Sequence, residues 1–218
     1  MPVEIHYRII ELDGKKVFFS VIRDIFGRRT VKQEFAQLAH FDALTNLPTG
    51  HDRLEQAVAR AKRYQQRFAI LFLDLDGFKR INDEFGHHAG DCLLKVVAER
   101  LAENARDMDT VARVGGDEFI FILNNIDHAD NAVLVANKIL ETLLQPFVIK
   151  ENACVIGCSF GISIFPDDTV CTETLVKMAD DAMYLAKKSG KNNYQFFNAQ
   201  PGKESSMYQG VLPIKFPG

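Results

Sequence analysis

The chain has 218 residues, enough to bury one substantial core with some extra structure at an end. Its 26 basic and 29 acidic residues leave a net charge of -3, without the basic excess that binding a nucleic-acid backbone requires, so no nucleic-acid partner is expected. No apolar stretch approaches the length of a membrane span and the start, Met1-Pro2-Val3-Glu4-Ile5-His6, lacks a basic-then-apolar leader pattern, so the chain reads as cytoplasmic, with no membrane segment.

In chain order, residues 1–26 predict a β-hairpin: Tyr7 to Glu11, a turn at Asp13-Gly14, then Lys16 to Ile22. A lone hairpin is barely stable. Over 27–41 the apolar positions Val31, Phe35 and Leu38 fall at helical spacing among charged neighbours, which predicts a connector helix too short to define a coiled coil. The next helix is expected from Thr49, with Asp52 three residues on, through Leu54, Val58 and Ala61. Phe68 to Leu73 is an apolar run of strand length that ends in Asp74-Leu75-Asp76 and Gly77-Phe78-Lys79, and so reads as a buried strand delivering carboxylates at its end.

Helical segments follow through Ile81 and through Leu93, Val97 and Leu101. Then Thr110 to Val114 and Phe119 to Leu123 flank Gly115-Gly116-Asp117-Glu118, a hairpin whose glycines supply positive φ and whose tip carries adjacent acids. A helix carrying Val133, Ala136, Ile139, Leu140 and Leu143 is stopped by Pro146; Ala153 to Ile164 reads as a strand. Leu175, Met178, Ala179, Ala182 and Ala186 mark the buried stripe of a last helix, before a strand from Tyr194 to Phe197. The order predicts an α+β fold: a central, mostly antiparallel sheet flanked by helices, over 42–198, with an irregular tail over 199–218.

The four cysteines, Cys92, Cys154, Cys158 and Cys171, have no Cys-x-x-Cys spacing, and the first three, set among apolar neighbours, read as small core residues. The adjacent His87-His88 lacks the spacing of helical metal ligands. Hard oxygen ligands are the better lead. Asp74 and Asp117-Glu118 converge if their strands are neighbours, giving the oxygen-rich, partly hydrated coordination that magnesium prefers.

Asp74-Leu75-Asp76-Gly77-Phe78-Lys79, Asn82-Asp83, Gly86-His87, Gly90-Asp91 and Gly115-Gly116-Asp117-Glu118-Phe119, in that order, resemble the GGDEF family of diguanylate cyclases. The resemblance extends from Asp42-Ala43-Leu44-Thr45 to Tyr184, Ala186-Lys187 and Gly190-Lys191-Asn192. It implies a nucleotidyl-cyclase-like palm that joins two GTP into cyclic di-GMP with release of pyrophosphate, as a homodimer in the active state, with Mg2+ or Mn2+ as cofactor. Asp74, the backbone carbonyl of Leu75, Asp117 and Glu118 are then the expected metal ligands, and Asp117 and Glu118 the catalytic pair; Asp76 is the less certain acid. A carboxylate and an amide can match the donor pair and acceptors of guanine, and the resemblance implies this role for Asp91 and Asn82. The alternative is that Asn82 caps a turn and Asp91 the following helix.

Phe78, Lys79, Lys187 and Lys191 complete the implied substrate set, the lysines facing phosphate. The family usually has arginine at the position of Lys191, and lysine keeps the charge but loses the bidentate fork. Arg106-Asp107-Met108-Asp109 resembles the family's product-inhibition site, with Arg106 and Asp109 as the contacting residues and cyclic di-GMP as the inhibitor; the alternative is a surface ion pair. Leu44-Thr45-Asn46-Leu47-Pro48-Thr49-Gly50 departs from the family's Leu-Thr-Gly-Leu-x-Asn-Arg and leaves the local loop geometry open, while Asp42 and Arg113 are candidates for a pair bracing the hairpin. Residues 1–26 resemble the closing strands of a PAS sensor domain, which suggests a piece of something longer. The rival readings are a non-catalytic receptor for GTP or cyclic di-GMP, and a regulatory domain of a larger protein, with or without a phosphodiesterase following.

Overall fold

The computed structural model describes residues 3–12, 15–24, 41–149, 152–197 and 210–211, with side chains over 41–148 and 153–197. The chain divides into two compact units, Met1–His40 and Phe41–Gly218. In the first, β1 (Val3–Leu12) and β2 (Lys15–Asp24) pair antiparallel without a break, from Val3 opposite Asp24 to Leu12 opposite Lys15. The expected turn at Asp13-Gly14, the connector helix up to His40 and most of the tail lie outside the described residues.

The second unit is built on a six-stranded sheet. Its strands are β3 (Phe68–Asp76), β4 (Thr110–Gly115), β5 (Glu118–Asn124), β8 (Gly157–Phe165), β9 (Asn193–Phe196) and the two-residue β10 (Gly210–Val211). They lie in the order β10-β9-β8-β3-β5-β4, and every described pairing is antiparallel except β8 with β9. The helices are α1 (Gly50–Tyr64), α2 (Phe78–Phe85), α3 (His87–Glu103), α4 (Ala129–Leu143) and α5 (Thr172–Lys188).

The apolar run of β3 follows from burial on both faces. Successive side chains of a strand point to opposite sides. Ala69, Leu71, Leu73 and Leu75 therefore join Leu93, Val97 and Leu101 of α3 and Ile139, Leu140 and Leu143 of α4 in one layer. Phe68, Ile70 and Phe72 join Leu54, Val58 and Ala61 of α1 and Leu175, Ala179 and Met183 of α5 in the other. By the same alternation Asp74 and Asp76 fall on the α1 and α5 side. Helix α5 reaches β8 over Gly161, where a Cβ would collide with the Ala179 carbonyl oxygen and the Met183 amide nitrogen.

Some expectations are corrected. The single strand expected over 153–164 is two, because β6 (Phe147–Ile149) and β7 (Asn152–Cys154) form a separate hairpin before β8. Gly210 and Val211, in the tail expected to be irregular, pair with Tyr194 and Asn193. Cys92 is exposed, because it follows Asp91 on the outer side of α3, whereas Cys158 is fully buried. Met183, not Met178, completes the buried stripe of α5. Asn46 adopts φ 56°, so asparagine takes the left-handed position where the family pattern has glycine.

Candidate active site

The site grows from the pairing of β3 with its neighbours. Antiparallel register sets Asp74 opposite Glu118 of β5 on one side and Ser159 of β8 on the other. Residues directly opposite on one face bring their side chains together, so Asp74 and Glu118 form a cross-strand acidic pair. Asp117 occupies the turn just before Glu118, and its carbonyl accepts the Leu75 amide at 3.3 Å, which ties the hairpin tip to the end of β3. Of the glycines at the tip only Gly116 is left-handed, at φ 55°; Gly115 lies in β4, beside a bulge after Arg113.

Arg113 fixes the tip from below. Its guanidinium donates to the Gly116 carbonyl through Nε at 3.1 Å and Nη2 at 2.7 Å, and pairs through Nη1 with Asp42 Oδ1 at 2.9 Å. The same Asp42 oxygen accepts the Thr45 amide at 2.8 Å and hydroxyl at 2.7 Å. Burial would raise the Asp42 carboxyl, but Thr45 and Arg113 outweigh it and hold it below the usual carboxylate range.

Because the acids lie on the α5 side, Lys187 reaches them. Its Nζ is 2.7 Å from Asp74 Oδ2. Asp74 is nonetheless raised above its ordinary pKa, first by burial and then by repulsion from Asp117 and Asp76, against the pull of Lys187. Glu118 is raised as well, by burial first and then by Asp74, Asp180 and Asp117. Asp180 was not singled out in the sequence; its signal is its place on α5 seven residues, two turns, before Lys187. Negative charge thus exceeds what Lys187 balances, which fits a hard divalent cation.

Among the described residues no three histidine, cysteine or carboxylate side chains are gathered into a metal cage. Magnesium is commonly held by one or two carboxylates with water and phosphate oxygens, so the donor set suits it without such a cage. Asp76 turns instead to Ser159 and to the backbone of Asn192.

Asn82 and Asp91 lie on neighbouring, packed helices. Asn82 lies within α2, and its side chain rests on Gly90 of α3, where a Cβ would strike Asn82 Oδ1. Asp91 follows on the exposed side, several residues into α3, so it does not cap that helix; nor does Asn82 cap a turn with its side chain, since it is the Asn82 backbone carbonyl that accepts the Gly86 amide, at 2.9 Å. Phe78 is partly buried against the core with its ring edge toward Gly90, and Lys79 is exposed next to it. Lys191 is exposed on the turn after α5.

Away from these groups, Asp109 Oδ2 accepts the Arg106 amide at 3.2 Å and Oδ1 the Asn124 amide at 3.0 Å. A cavity of about 480 Å³ beside this turn is lined by Asp107, Asp109 and, from α1, by Arg53 and Arg60, which the sequence did not single out; Arg106 lies outside its lining.

A largely antiparallel palm with an acidic strand end, an acidic hairpin tip and a lysine-bearing helix over both has the architecture of the nucleotidyl-cyclase class. The model of the family "Diguanylate cyclase, GGDEF domain" matches residues 39–193, and the chain belongs to that family. It is 47% identical over 170 residues to the bifunctional diguanylate cyclase/cyclic di-GMP phosphodiesterase MucR of Pseudomonas aeruginosa, covering 77% of this chain and 25% of MucR. The chain thus spans about a quarter of the length of that relative. The GGDEF domain of TpbB from Pseudomonas aeruginosa superposes with a TM-score of 0.70 at 33% identity, over 73% of this chain and 95% of that one. The GGDEF domain of DgcB from Caulobacter crescentus, solved in complex with c-di-GMP, gives 0.61 at 27% identity, over 72% and 95%. Among the described residues no helix is long and apolar enough to cross a membrane.

Proposed function

We propose that the chain is a diguanylate cyclase domain: two GTP molecules condense to cyclic di-GMP as each 3′-oxygen attacks the α-phosphorus of the other nucleotide and each displaces pyrophosphate. The observation that carries this reading is the cross-strand pairing of Asp74 with Glu118 beneath the Lys187 ammonium. Asp74, the Leu75 carbonyl, Asp117 and Glu118 are the candidate ligands of a divalent cation, Mg2+ or Mn2+, which would take one or two of these carboxylates beside water and phosphate oxygens and, when bound, neutralises phosphate charge and lowers the pKa of the attacking hydroxyl.

The protein groups do the rest. Asp117 and Glu118, on the hairpin tip opposite Asp74, are the residues assigned to take the hydroxyl proton. Asp91 accepts from the guanine N1 and N2 donors while Asn82, whose side chain lies over Gly90, meets the base beside it. Lys79, Lys187 and Lys191 neutralise the triphosphate. With one GTP in each domain, the product requires two domains face to face, so a homodimer is the working unit.

The turn at Arg106 and Asp109, with Arg53 and Arg60 across the cavity, is the candidate site for inhibition by cyclic di-GMP; the DgcB domain, solved in complex with that dinucleotide, is a related domain that binds it. The reading of residues 1–26 as the end of a PAS-type sensor rests on their sequence resemblance alone; the pairing of β1 with β2 agrees with the hairpin expected there.

Incubation with GTP and Mg2+, with product identified by mass, tests the reading. Cyclic di-GMP from the wild type and loss of at least a hundredfold in Asp117→Ala is the expected result. Product that persists in that variant rejects the site, and tight GTP binding without product favours the receptor.

A further inference from the structure

Asp76 is the last residue of β3, two positions beyond Asp74 and on the same face, yet it does not take part in the acidic pair. Both its oxygens face protein donors. The buried Ser159 hydroxyl lies 2.9 Å from each, and the Asn192 backbone N–H donates to Oδ2 at 2.8 Å. That amide belongs to an unusual turn: Gly190, Lys191 and Asn192 have φ of 123°, 62° and 46° in succession. Two consecutive non-glycine residues in the left-handed region persist only where the surroundings hold them.

Beyond β9, which starts at Asn193 and pairs with β8 from Tyr194 on, further hydrogen bonds fasten the turn at the helix end. Asn193 Nδ2 donates to the Ala186 carbonyl at 2.9 Å and the Lys191 carbonyl at 2.8 Å, and the Lys191 amide reaches Ala186 at 3.3 Å. Those bonds tie the turn to α5. The Asn192 amide, through Asp76, ties it to the sheet. Gly157, opposite Asp76 in β8, lets the turn close down, since a Cβ there would come within 3.0 Å of Asn192 Oδ1.

We propose that Asp76 is a positioning residue for the triphosphate: it fixes the turn that carries Lys191 against the strand end that carries Asp74, and so sets the distance between the phosphate-binding cation and the acidic centre. It acts through Asn192 and Lys191 rather than as a cation ligand. The proposal rests on the GTP reading above, and asks which residue places the charge.

The test measures binding of a non-hydrolysable GTP analogue with Mg2+, and of Mn2+ alone, by calorimetry on the wild type, Asp76→Ala, Lys191→Ala and the double variant. Each single variant is expected to weaken the analogue about tenfold, and the double variant by no more than about twice the Lys191→Ala loss, because the two substitutions remove one interaction. Mn2+ affinity should stay within about twofold of wild type in Asp76→Ala, and in turnover KM for GTP should rise more than kcat falls.

Asp76→Asn, which keeps an accepting oxygen, should recover part of the loss, and it carries the same test if Asp76→Ala does not fold. Analogue binding that is unchanged, losses that multiply to about a hundredfold, or a drop in Mn2+ affinity matching the drop for the analogue would each overturn the proposal. A wild type that binds no analogue would instead overturn the GTP reading itself.

Discussion

Replacing Gly90 with alanine separates the stability of α3 from the chemistry it supports. Gly90 is buried in the helix with an ordinary helical backbone, so alanine brings a gain of about 1 kcal/mol in helix propensity. The added methyl, however, occupies the space of Asn82 Oδ1 and approaches the Phe78 ring edge at 3.1 Å. Asn82 is only half-buried and can swing away, so the steric cost should roughly offset the helical gain and leave the folded state within about 1 kcal/mol of wild type.

The displaced Asn82 loses its contacts with the base. One or two neutral hydrogen bonds at about 0.5–1.5 kcal/mol each amount to about 0.5–3 kcal/mol, or roughly 2- to 150-fold in GTP affinity. Thermal melting and calorimetry with a non-hydrolysable GTP analogue read the two quantities apart, and Asn82→Ala serves as the control, on which Gly90→Ala should add nothing further. Analogue affinity equal to wild type in Gly90→Ala would refute the assignment of Asn82 to the base.

Gly161→Ala should behave in the opposite way. Its methyl meets α5 backbone atoms that cannot swing aside, so unfolding by urea should show a loss of about 3 kcal/mol or more with an unchanged slope, and a loss under 1 kcal/mol would contradict the close approach of α5 to β8. Glu118→Gln tests the raised carboxyl. A folded pKa above the unfolded value means the ionised form disfavours folding, so this group lowers stability progressively as pH rises from below its unfolded pKa to above its folded one. The variant should therefore melt higher than wild type at pH 7 and alike near pH 3, where both side chains are neutral; equal melting at pH 7 would show that Glu118 is not strained by its neighbours.

The run from Phe68 to Leu73 was legible as a buried strand because both of its faces are covered, which removes polar alternation and leaves length and flanking residues to distinguish it from a helix. The hairpin at Gly115-Gly116 was legible from its glycines, though only Gly116 is left-handed. Pairings set by tertiary register were not. Nothing in the local sequence brings Lys187 to Asp74, Asp180 toward Glu118, or Asp76 to the Asn192 amide across 116 positions.

The β6–β7 hairpin escaped notice because its strands of three residues are too short for a period to develop. The exposure of Cys92 escaped for a different reason: its neighbours Leu93 and Leu94 are core residues, and on a helix adjacent positions face different ways. Asn46 shows the reverse case, in which a missing glycine proves harmless because asparagine tolerates the same backbone region.

The strand that carries Asp74 is hydrogen-bonded along both edges, to β5 and to β8, and its side chains alternate between two different hydrophobic layers. Deleting or inserting one residue within it would rotate every later position to the opposite layer, sending both aspartates toward the apolar surfaces of α3 and α4. Evolution can therefore exchange side chains along this segment, and vary the loops beyond its ends, but has almost no freedom over its length; an indel here should be the rarest kind of change that a working descendant of this domain could carry.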